Sequence, residues 1–99
     1  MASGFVAILT AELHFPEAGS LKGKRHFVRS VKDNLRNRFG AAVAEVDHHD
    51  LWQRATLTVA IVARSAHDAG ELADGAERWL ASGDWVVSRC DRLLLNPED

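Results

Sequence analysis

Five basic residues share a line. Lys22, Arg25, Arg29, Lys32 and Arg36 follow one another at three, four, three and four residues, the spacing that stacks side chains along one face of an α-helix. A row of cations suits the binding of a polyanion whose phosphates repeat along a backbone. Lys24 stands with Lys22 just after Gly19-Ser20, where the free N–H groups of a helix start and two ammonium groups together would hold one phosphate. Between Lys22 and Arg38 seven basic residues face Asp33 alone, so this segment carries +6 and the rest of the chain −8, within a net charge of −2. Concentrated charge points to one RNA-facing helix rather than a general polyanion coat. A nucleotide-binding P-loop does not fit, because only three residues separate Gly19 from Gly23 and Arg25 stands where a magnesium-holding Ser or Thr belongs.

Other chemistry is less well supplied. Asp47-His48-His49-Asp50 has metal-ligand residue types, but adjacent strand side chains point to opposite faces, so His48 and His49 would share an ion only if the chain kinked between them. The run reads better as structure: Asp47 paired with Arg54 across a hairpin, Asp50 and Gln53 organising its loop, Trp52 covering its end. Glu12, His14 and Glu45 are candidate acid–base groups on an open sheet face, with no nucleophile, oxyanion feature or glycine-rich substrate loop beside them. The phosphate-binding loop and arginine of acylphosphatases, which share this size, are missing from Phe15-Pro16-Glu17-Ala18-Gly19. No catalytic residue, cofactor or metal is expected, and lone Cys90 reads as a small core residue.

Positioning the basic row requires a scaffold, and 99 residues supply one domain, 1–99, with a modest core. Alternation from Phe5 to Phe15 predicts a half-buried strand. Ser20 is a good N-cap for a helix over Leu21 to Phe39, with apolar positions Leu21, Val28, Val31, Leu35 and Phe39 and a stop at Gly40. Ala41–His48 and Arg54–Arg64 make a hairpin. Ser65 with Asp68 resembles a capping box for a second helix ending at Gly83, and a last strand covers about Asp84 to Leu95. The order βαββαβ predicts an α+β, ferredoxin-like sandwich, its antiparallel sheet ordered 4-1-3-2 with both helices on one face.

On the opposite face no aromatic ring occupies the central strands, which disfavours base stacking of the RNA-recognition-motif kind. Val6, Ile8, Val43, Ala60 and Val62 there suggest a homodimer through the open sheet. A different assembly would set the basic first helix against the acidic second helix (Asp68, Glu71, Asp74, Glu77) of a neighbour, as an interaction module with no nucleic-acid role. The longest charge-free stretch, Met1 to Ala11, is too short to span a bilayer, and a single cysteine fits a reducing cytoplasm.

Ser20-Leu21-Lys22 with Lys24-Arg25, then Leu35-Arg36-Asn37-Arg38-Phe39, Ala44-Glu45-Val46-Asp47-His48 and Asp50-Leu51-Trp52-Gln53-Arg54-Ala55 resemble the small bacterial YlxP-like family, a domain of unknown function. The likeness runs through the first two-thirds of the chain and is undiagnostic from Ala66 onward. It implies a ferredoxin-like fold and no catalytic residues to carry over. Its genes often lie beside those for translation initiation and ribosome-binding factors, which implies RNA or the ribosome as partner. Gly23 departs from the family, where a glutamate commonly completes the helix cap.

Overall fold

A computed structural model describes residues 3–98. Strand β1 (Phe5–His14) is followed by helix α1 (Leu21–Phe39), strands β2 (Ala42–Asp47) and β3 (Arg54–Ala63), helix α2 (Ala66–Ala81) and strand β4 (Val86–Leu95). The strands form one antiparallel sheet in the order β2-β3-β1-β4. This is the ferredoxin-like α+β arrangement that the element order predicts.

Alternation decides which side of the sheet the helices cover. Ala7, Leu9, Ala11 and Leu13 of β1 and Ala55, Leu57, Val59 and Ile61 of β3 are buried, and they meet Val28, Val31 and Leu35 of α1 and Ala69, Ala73, Ala76 and Leu80 of α2. The period of two on the strands and of 3.6 on the helices converge on one core. Helix α1 lies over β2 and β3, while α2 lies over β1, β3 and β4. Phe15, just past β1, is buried against Phe27 at 5.5 Å and Trp85 at 6.3 Å, and Trp85 in turn packs on Trp79 and donates from Nε1 to Leu80 O at 2.7 Å. Gly83 makes room for that indole: a Cβ there would lie 2.2 Å from the Trp85 ring.

Some expectations change. Phe27 joins the core and Leu21, 39% exposed, does not. Val43 lies opposite Val59 and is buried under the helices, not on the open face. Asp47 sits opposite Thr56 and not Arg54: the register of β2 on β3 runs to Ala55 at this position, and the shift after Glu45 moves Asp47 one residue further from Arg54. Asp47 Oδ1 accepts the His48 N–H at 2.7 Å, while Arg54 faces His14. Trp52 is 52% exposed and is not part of the core. Gln53 bonds outside its own loop, donating from Nε2 to Ala18 O at 3.2 Å, while its backbone carbonyl accepts from Phe15 N, so it ties the β1–α1 connection. No helix among the described residues is long and apolar enough to cross a membrane.

Candidate nucleic-acid interface

Helix α1 begins where Ser20, in extended backbone, accepts the Gly23 N–H on its hydroxyl at 3.1 Å. It ends at Gly40, whose left-handed φ of 61° returns its N–H to Arg36 O and Leu35 O. The apolar face sits on the sheet, and the basic row lies beside it: Lys22, Arg25, Arg29 and Arg36 are exposed and Lys32 is half-buried. Arg36 is partly engaged, 3.6 Å from Asp33 and donating to Val43 O at 3.3 Å. Among the described residues, Lys22, Arg25, Arg29 and Lys32 have no acid within ion-pair distance. With about 5.4 Å per turn, the row climbs the helix in steps comparable to those between successive phosphates of an extended strand.

A groove of about 320 Å³ runs between this row and β2, with Arg25, Arg29, Lys32 and Arg36 on the helix side and Glu45 and His49 on the strand side. A second hollow lies between Lys22, Arg25, His26 and Arg29. Arg25 and Arg29 border both. They form a ridge with no acid among the described residues within ion-pair distance, although Asp33 and Glu45 also line the first groove.

Lys24 is a correction. Its side chain is turned inward and 1% exposed, with Nζ donating to His48 O at 2.6 Å and His49 O at 3.3 Å and standing 3.0 Å from Glu45 Oε2. Glu45 Oε2 is paired with the ammonium by charge and makes no hydrogen bond among the described residues. A buried ammonium that donates to two carbonyls and is ion-paired with a carboxylate is out of reach of a phosphate in solvent. The helix start therefore lacks one of the two ammonium groups expected there, and Lys24 clamps the β2–β3 turn to α1. Glu45, expected on the open face, points to the helix side opposite Leu57.

The histidine pair is divided by the kink it would have needed. His48 adopts φ of 63°, its Nδ1 lies 2.9 Å from Thr56 Oγ1, and His49 Nε2 lies 3.1 Å from Glu45 O. Each ring is occupied separately. Among the described residues, no three of His, Cys, Asp and Glu converge on a point that could hold a metal ion. Glu12 and His14 remain on the open face, apart from Glu45. Burial first, and then Glu77 beside it, push the Cys90 thiol up to about 12, which makes it a poor nucleophile.

The acids of α2 have cations on their own chain. Arg92 of β4 bonds Asp74 at 2.9 Å and also Glu77, which hold its guanidinium still more firmly in the charged form. Asp68 lies 3.6 Å from Arg64, and Glu71 lies 3.3 Å from His67. Helix α2 is therefore internally compensated where α1 is not.

An uncharacterised protein of Bacillus subtilis (strain 168), YlxP, is 35% identical to this chain over 49 residues, which are 50% of this chain and 53% of that protein. The chain thus spans about half the length of the curated relative it matches. The profile of a family described as a protein of unknown function (DUF503) matches residues 6–90. That match extends beyond Ala66, through α2 and into β4, so the second half of the chain carries family character that its residues alone do not reveal. Covering β1, the basic helix, the hairpin and α2, it establishes that the chain belongs to the DUF503 family.

Proposed function

We propose that this protein is a non-enzymatic, cytoplasmic accessory of the translation apparatus that holds RNA by its phosphates along α1. One observation carries this reading: exposed Lys22, Arg25 and Arg29 and half-buried Lys32 stand in a row with no acid among the described residues within ion-pair distance, while Asp68, Asp74 and Glu77 of the other helix are paired with arginines. Uncompensated charge in a row raises the local concentration of a polyanion and releases its counter-ions on contact. The groove beside the row gives a sugar-phosphate strand somewhere to lie. Base identity plays little part, because the row offers charge and not base-edge recognition. The likeness to a family whose genes neighbour those of translation factors makes ribosomal RNA the first to test.

Sedimentation with ribosomal subunits tests this. The wild-type chain is expected in the ribosomal pellet at low salt and in the supernatant at high salt, with Arg25→Glu/Arg29→Glu in the supernatant at both. Pelleting of the double variant at wild-type levels would overturn the reading.

A further inference from the structure

The two edges of the sheet are finished differently. Both edge strands carry a register shift, that of β4 falling at Ser88 outside the Arg89–Asp91 segment, but β2 has in addition only six residues and side chains on its backbone: Arg36 donates to Val43 O at 3.3 Å, and His49 lies 3.1 Å from Glu45 O. These are the devices that blunt an edge against pairing. At the other, β4 has ten residues with neither Lys nor Pro among them. Among the described residues, no side chain bonds its outer backbone, and Leu93, Leu94 and Leu95 are all exposed. A long edge with free backbone groups is a template for another strand.

The charges on β4 indicate which strand. Arg89 and Asp91 both lie on the open face, opposite Glu12 and Thr10, and bond each other at 2.9 Å in the isolated chain. If a second β4 ran antiparallel about an axis through Cys90, each Arg89 would face the other copy's Asp91, giving two ion pairs astride the axis. A shift of the axis by one residue sets Asp91 against Asp91 or Arg89 against Arg89, and like charges directly opposite are unfavourable.

We propose that the chain forms a two-fold dimer by β4–β4 pairing centred on Cys90, joining two sheets into one of eight strands. The interface is isologous and uses up the open edge. Because α1 lies over β2 and β3, the dimer leaves both basic grooves free on its outer flanks. The proposal does not rest on RNA binding.

Sedimentation equilibrium of the purified chain without nucleic acid, across a concentration series, tests it. Wild type is expected to dimerise. Arg89→Asp and Asp91→Arg should each weaken the dimer about tenfold or more, since either sets like charges opposite each other twice. The double exchange Arg89→Asp/Asp91→Arg, which rebuilds both pairs with their signs swapped, should restore it to within a few-fold. Val62→Glu, on the open face away from this edge, should leave it intact. In parallel, hydrogen exchange should show that the outward-facing amides of β4 gain protection as concentration rises. A wild-type chain that stays monomeric, single variants that dimerise as wild type does, or β4 amides that gain no protection would each overturn the proposal. So would a dimer broken by Val62→Glu but not by Arg89→Asp, which would place the contact on the sheet face.

Discussion

Lys24 and Arg25 are adjacent and have opposite fates. Lys24, Val28, Val31 and Leu35 recur at four, three and four residues, so Lys24 extends the apolar row by one turn while Arg25 starts a step around the helix. That signal is legible in the sequence. The partners that make the inward position tolerable for a charge, two carbonyls of the β2–β3 turn and Glu45, are not, because they depend on the left-handed turn at His48 and the shift in β2. Lys24→Met would leave those acceptors unsatisfied and Glu45 unpaired, at a cost of about 3 kcal/mol. A urea titration measures this, and RNA affinity of the folded variant is expected to match wild type; a loss of affinity without a loss of stability would return Lys24 to the interface. Trp52→Ala, in contrast, should cost less than about 1 kcal/mol, because the indole is half exposed and leaves no cavity. Cys90 gives a pH dependence. Its thiol is raised from an ordinary value near 9.0 to about 12, so the native chain keeps a proton that the unfolded chain releases over that interval. The thiol's contribution to stability is complete below pH 9 and is lost as pH rises toward 12. Parallel urea midpoints should fall more steeply there for wild type than for Cys90→Ala, and equal slopes would contradict the assignment.

At the scale of elements, periodicity locates both helices and the strands β1 and β3, whose patterns are long and face one core, whereas β2 is legible from its Val and Ala content and β4 from the Asn96-Pro97 that stops it. What periodicity misses is contact between elements. Nothing in the local sequence distinguishes Gly70 from Gly75 inside α2, yet a Cβ at Gly70 would meet nothing within 4 Å, whereas one at Gly75 would lie 3.1 Å from the Phe39 ring at the end of α1. Gly70→Ala is therefore expected to stabilise the protein by about 0.5–1 kcal/mol through helix propensity alone. Gly75→Ala should show a smaller gain or a loss as Phe39 is displaced. Thermal melts of the two variants side by side check this, and an equal gain at both positions would mean that the α1–α2 contact is looser than described. The hairpin is the least legible element for the same reason: the shift after Glu45 changes what Asp47 faces, and no composition cue in Glu45–Asp47 announces it.

Across the whole molecule, charge is arranged by helix. Arg92 and Arg64 pair with Asp74, Glu77 and Asp68 of α2, while Lys22, Arg25, Arg29 and Lys32 of α1 have no acid among the described residues within ion-pair distance. The sequence shows the imbalance between Lys22 and Arg38, but not that the acidic helix is already satisfied, since Arg92 reaches it from a strand fifteen residues or more away. These pairs compete with any contact between α1 and a neighbour's α2. The central claim, that RNA is held by phosphates on α1, is tested most directly by the salt dependence of affinity for a short single-stranded RNA, read by fluorescence anisotropy. With about four phosphate contacts, log affinity should fall about three units per tenfold rise in salt, roughly fiftyfold between 50 and 200 mM, and Arg25→Glu/Arg29→Glu should flatten that slope by about half or more. A wild-type affinity indifferent to salt, or a slope the double variant leaves unchanged, would contradict it.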